Sequence, residues 1–169
     1  TVQNVGGVTM NGVDAGITLT PVKGLEIFNS ISYSHSTYDQ NITSGGVSYA
    51  TKNKQVVGYP SFMYKSRISY SWKAFQAFVD AQYYGKRSYD YTGDYKIPHY
   101  WMSNAGLSYT FKDISLFNSG SASVHNLVVA FNVYNIANQK YVSTMGQNGY
   151  TMNNENDNAY NNQSILLGA

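Results

Sequence analysis

Hydrophobic and polar residues alternate along most of the chain with a period of two, and almost nothing repeats at the helical period of 3.6. The clearest stretch is Phe62 to Trp72. Phe62, Tyr64, Ile68, Tyr70 and Trp72 share one side with Ser66, and Met63, Lys65, Arg67, Ser69 and Ser71 share the other. Lys73-Ala74 makes a two-residue connection, and Phe75 to Gly85 alternates again, with Phe75, Ala77, Val79, Ala81 and Tyr83 on one side. This predicts a tight hairpin of long strands. Register follows from the turn. Trp72 should oppose Phe75, Tyr70 Ala77, Ile68 Val79 and Arg67 Asp80.

The same grammar appears upstream in Val13, Ala15, Ile17 and Leu19, and again in Leu25, Ile27, Ile31 and Tyr33 after the turn Pro21-Val22-Lys23-Gly24. Downstream, Trp101 to Phe111 and Asn126 to Tyr134 read as further strands. Connections at 21–24 and 73–74 are short, and those at about 39–60, 87–98 and 142–163 are long. The link at 112–125, with Phe117, Gly120 and Ser123, reads as a decorated turn. If strands run up and down, the long loops collect at one end. Strands of ten or more residues with that asymmetry mark an outer-membrane barrel. The predicted fold is all-β: an antiparallel up-and-down meander of about six or seven strands, forming a curved, open part of a transmembrane barrel. Lipid offers backbone groups no hydrogen bonds, so a spanning sheet must eventually close. A soluble β-sandwich shows the same alternation. Aromatic residues at strand ends (Tyr64, Trp72, Phe75, Tyr83, Trp101, Tyr109 and Phe111) favour the membrane alternative. Phe62, Ile68, Tyr70, Val79, Ala81, Ile17, Leu107, Val129 and Phe131 are then expected on the lipid-facing side.

Composition narrows the function classes. The 169 residues carry 11 Lys+Arg and 9 Asp+Glu, a net charge of +2, too small for a nucleic-acid footprint. Only 12% are charged, against roughly a quarter in soluble domains. There is no cysteine for disulfides or thiolate metal sites. His35, His99 and His125 sit in separate segments without metal-ligand spacing or a nucleophile–base pattern, so no catalytic, metal or cofactor site is indicated. Gly45-Gly46 lacks the strand–helix context of a phosphate cradle. Aromatics reach 15%, with 17 tyrosines. Loop tyrosines at Tyr38, Tyr49, Tyr59, Tyr89, Tyr91, Tyr95 and Tyr150 are ligand-contact candidates, because a rigid ring with a polar tip binds amphipathic solutes at low entropy cost. Tyr38, Tyr49, Tyr89, Tyr91 and Tyr95 lead that set; packing at the rim is the competing role. Arg67 and Asp80, with Lys65 and Glu26, are expected on the lumen wall as a structural charge set. The run Asn153 to Asn158 reads as a solvated loop.

Four motifs carry a family resemblance. Asn11-Gly12-Val13-Asp14-Ala15-Gly16-Ile17-Thr18-Leu19-Thr20-Pro21 resembles a strand that opens a late hairpin in TonB-dependent outer-membrane receptors. Val57-Gly58-Tyr59-Pro60 resembles the run ending an extracellular loop of that family. Gly85-Lys86-Arg87-Ser88-Tyr89 resembles its strand-top motif. Asn132-Val133-Tyr134-Asn135-Ile136-Ala137-Asn138-Gln139-Lys140-Tyr141 resembles the box of its penultimate strand, with Asn138 where Asp is usual and Gln139 where Lys is frequent. The order of the motifs is the family's order. The resemblance implies that residues 1–169 are a single C-terminal segment of a receptor barrel, lacking plug, most strands and closing strand. It implies a bacterial outer-membrane location, no enzyme activity, and import of a bulky scarce solute, first an iron–siderophore complex. Implied partners are outer-membrane lipid, the TonB complex acting through the absent plug domain, and a small-molecule or metal-chelate ligand. A small non-transport outer-membrane barrel, adhesin or binding module is the alternative.

Overall fold

A computed structural model describes residues 6–44, 46–115, 123–145 and 165–168. Among these the chain is all-β, without helix. Six long strands make one antiparallel sheet: β1 (Val8–Leu19), β2 (Leu25–Tyr38), β5 (Phe62–Trp72), β6 (Phe75–Tyr84), β9 (Tyr100–Ser115) and β10 (Ser123–Val133). Their order is β1-β2-β5-β6-β9-β10, a meander open at β1 and β10. Short pairs fill the long loops: β3 (Ile42–Ser44) with β4 (Val47–Tyr49), and β7 (Arg87–Ser88) with β8 (Lys96–Ile97). Beyond β10, β11 (Tyr141–Met145) pairs with β12 (Ile165–Gly168) across a register shift. Both ends of the 112–125 link belong to strands, because β9 runs to Ser115 and β10 starts at Ser123. Residues 116–122, Gly45, Tyr150 and the Asn153 to Asn158 run lie outside the described residues.

The turns dictate the register. Lys73 adopts a positive φ of 56°, as a two-residue hairpin requires, and Trp72 pairs with Phe75, Tyr70 with Ala77 and Ile68 with Val79. At the other short turn, Gly24 has φ 86°, and a Cβ there would strike the Ser71 carbonyl. Its own carbonyl accepts from Ser71 N–H at 2.8 Å, so glycine is needed where two chains meet.

One face of the sheet is uncovered apolar surface. Val13, Ile17, Ile31, Ile68, Val79, Leu107, Val129 and Phe131 are between 46% and 64% exposed. In water those eight side chains would forfeit on the order of 10 kcal/mol of burial, comparable to a whole domain's net stability. That exposure is the opposite of a sandwich's inner face, which a second sheet buries. Two aromatic belts bound this face. Trp72, Phe75, Tyr109 and Phe111 lie at one level, with Phe75–Tyr109 and Tyr109–Phe111 ring pairs at 5.6 and 4.6 Å. Phe62, Tyr64, Tyr83 and Trp101 lie at the other, with contacts of 5.0 to 6.1 Å. From Trp72 to Phe62 the strand rises about 33 Å, and a tilt of about 40° leaves about 25 Å, the height of a barrel's lipid band. Within this face, the Asn29 amide oxygen accepts from the Tyr64 hydroxyl at 2.6 Å. That bond meets the demand of a polar side chain set among apolar ones.

Candidate functional site

On the opposite, polar face, strand register aligns Phe28, Arg67, Asp80 and Asn104 in one row. Arg67 Nη1 lies 3.9 Å from Asp80 Oδ2, and its guanidinium sits 3.8 Å above the Phe78 ring. Asn104, buried, donates to Asp80 Oδ1 at 2.8 Å and accepts from Asn135 N–H at 3.1 Å. Asp80 is thus shared between a cation and an amide. Phe78 is an aromatic on a polar face because Gly106, its cross-strand neighbour, leaves room for the ring. A Cβ at Gly106 would strike both Phe78 and Asn132. Lys65 lies on the same face and is exposed, opposite Ser30 and Gln82.

Above the Trp101 belt the loops form their own small core. Tyr38 and Tyr89 are each 2% exposed. Tyr38 packs on Tyr91 with ring centroids 5.6 Å apart, and its hydroxyl accepts from Val57 N–H at 3.3 Å. Burial raises the Tyr38 pKa above the ordinary phenol value, outweighing the opposing pull of the Val57 N–H. Tyr89 packs on Tyr95 at 5.9 Å and on buried Ile97. Asp90, 1% exposed, closes the β7–β8 turn by accepting from Thr92 Oγ1, Asp94 N–H and Tyr95 N–H at 2.7, 3.1 and 2.9 Å. Tyr49, Tyr91 and Tyr95 keep part of their rings in solvent, and Tyr59 is exposed. Two of the five leading tyrosines are therefore inside the loop core, and three border it.

A second aromatic group joins residues of three separate elements. Tyr84, Tyr100 and Tyr141 stack as a near-parallel column, with centroids 4.9 and 4.3 Å apart. The Tyr141 hydroxyl reaches Met102 Sδ at 3.7 Å, and the buried Arg87 guanidinium lies 5.6 Å from the Tyr100 ring. Parity offered one signal: Tyr84 and Tyr100 fall on the polar side of β6 and β9, where every other aromatic except Phe78 faces lipid. The histidines stay apart, His35 on β2, His99 beside Tyr83 at 5.7 Å, and His125 toward the far end of β10. No group of three potential metal ligands occurs among the described residues.

An uncovered apolar face between two aromatic belts, backed by a polar face, defines the wall of an outer-membrane β-barrel. Residues 1–136 match the family model described as TonB dependent receptor-like, beta-barrel, and the chain belongs to that family. The family is one of bacterial outer-membrane receptors and transporters rather than of enzymes. Among solved structures, the chain resembles the siderophore receptor PiuA from Acinetobacter baumannii, with a TM-score of 0.64 and 14% identity. That match covers 95% of this chain and 20% of the receptor, so the chain spans about a fifth of it. A comparison with curated proteins found no match.

Proposed function

We propose that residues 1–169 form one C-terminal segment of the barrel wall of a TonB-dependent transporter, which imports a bulky, scarce solute, first an iron–siderophore complex. The observation that carries this reading is the pairing of a lipid band with a tyrosine-rich loop cluster at one of its ends. The band fixes the segment in the outer membrane. The loop cluster then faces outward, where solute is captured. Tyr49, Tyr91 and Tyr95 are the ligand-contact residues, since their rings remain partly exposed. Tyr38 and Tyr89 support them from within the loop core. Arg67 and Asp80 keep a structural role on the lumen wall, and the plug that engages the TonB complex is supplied by another part of the receptor. The resemblance to a named siderophore receptor supports iron chelates as the first cargo to test.

The experiment deletes the gene in its own host and measures growth under iron limitation on a panel of ferric chelates. The expected result is loss of growth on one chelate class, restored by the gene and lost again when TonB is inactivated. Unchanged growth on every ferric chelate overturns the siderophore assignment. Uptake of any solute that persists without TonB overturns active transport and favours a small barrel or adhesin.

A further inference from the structure

The wall is not continuous at its last strand. β10 keeps its ladder with β9 up to the pair Val133–Ala105. The chain then leaves the sheet through Asn135 and Asn138, both at positive φ (52° and 49°). Asn135 fixes this departure, its Oδ1 accepting from Gln139 N–H and its Nδ2 donating to Gln139 O. One backbone bond follows, Ile136 N–H to Ser103 O at 2.9 Å. When the chain resumes as β11, its first residue, Tyr141, meets Tyr100 and Met102 of β9, but among the described residues the strand joins a separate sheet with β12 and no ladder ties it to β9.

Side chains take the ladder's place. Tyr141 stacks on Tyr100 and reaches Met102. Val142 packs against the Tyr89, Ile97 and Tyr95 cluster of the β7–β8 loop. Arg87 Nη2 donates to the carbonyls of Val142, at 3.0 Å, and Ser143. Arg87 is 5% exposed, and among the described residues no carboxylate lies within ion-pair distance of it. Among the described residues, the buried Arg87 cation is thus held by carbonyl dipoles and a ring face. Among the described residues, separating β11 from β9 breaks these side-chain contacts and no backbone ladder, whereas peeling two laddered strands exposes each backbone pair in turn.

We propose that β11 is a side-chain-latched strap on the extracellular half of the barrel wall, with Arg87 as its latch. It undocks from β9 and the β7–β8 loop as a unit while the six-stranded sheet stays paired. Because the latch ties β11 to the loop bearing Tyr89, Tyr91 and Tyr95, the strap's position and the shape of that tyrosine cluster change together. The inference concerns a motion and holds whatever the cargo.

The test is a pair of spin-label distances in the whole receptor in membranes. One pair, on exposed Lys86→Cys and Lys140→Cys, spans the seam. The control pair, Lys86→Cys and His99→Cys, stays within the β7–β8 region. The seam pair should show a second population several ångströms longer. Arg87→Gln should raise that population about tenfold, as expected for losing hydrogen bonds from a charged donor, while the control pair keeps one distance. Val142→Ala, which leaves Arg87 in place, should act in the same direction. A single seam distance unchanged in both variants overturns the proposal. So does parallel broadening of seam and control pairs, which would mean that the strap has no independent motion.

Discussion

Between the two aromatic belts, every neighbouring strand from β1 to β9 is tied by a backbone ladder, and the register runs unbroken from Leu19–Ile27 to Tyr83–Trp101. Above the upper belt the connections change character. β3–β4 and β7–β8 are pairs of three and two residues, and Asp90, Arg87, Thr51 and the tyrosines do the joining. The lower part faces lipid, which accepts no backbone hydrogen bonds, so only complete ladders are tolerated there. The upper part faces water, which can replace any bond that opens. The same chain can therefore be rigid between the belts and adjustable above them.

The largest expected break is in the lower part. Val79 sits midway between the belts, and Val79→Arg should cost about 2–4 kcal/mol in the bilayer, read by urea titration of the receptor folded in lipid vesicles. The same change at Tyr59, exposed in the loops, should leave that titration unmoved. Next comes a break confined to the upper part. Asp90→Ala strips the acceptor from two backbone N–H groups and a hydroxyl and should destabilise the β7–β8 loop by about 2–3 kcal/mol. Proteolytic cleavage within 86–99 should then rise without loss of barrel mobility on gels.

Two smaller predictions concern the polar face. Gly106→Ala should cost about 2 kcal/mol by forcing the Phe78 ring aside, and Phe78→Ala in the same chain should recover part of that loss. Arg67 and Asp80 should show a coupling energy of at most about 1 kcal/mol in a double-mutant cycle, since Arg67 is 47% exposed and their closest approach is 3.9 Å. Arg67→Ala alone should cost more than the coupling, because it also removes the contact with Phe78.

The same division explains what could be read from the residues. The hairpin of β5 and β6 was legible because unbroken alternation meets a two-residue turn, which leaves one register compatible with one lipid face. The lower belt was legible for the same reason, Trp72 and Phe75 flanking Lys73-Ala74. The upper part resisted. Ile42, Tyr49 and Ile97 sit among loop residues with no period to reveal β3, β4 or β8. Tyr38 and Tyr89 could be recognised as loop tyrosines, but their burial depends on Tyr91 and Ile97, which local pattern does not locate. The Tyr84, Tyr100 and Tyr141 column joins three elements far apart in sequence, and its geometry follows from the register of β6 on β9 and from the return of β11. Asn135 and Asn138 stand in a recognisable box, yet the break they make in the wall strand shows only in the backbone.

The central claim is that one face of this sheet meets lipid and the other a wet lumen. The most direct test is a spin-label scan from Phe62 to Trp72, one cysteine at a time, in the receptor reconstituted in bilayers. Collision with dissolved oxygen, which concentrates in lipid, should peak at Phe62, Tyr64, Ser66, Ile68 and Tyr70. Collision with a water-soluble nickel chelate should peak at Met63, Lys65, Arg67 and Ser69. Two profiles alternating with period two and out of phase are the predicted result. Profiles in phase, or nickel access equal at Ile68 and Arg67, would contradict the membrane-wall account.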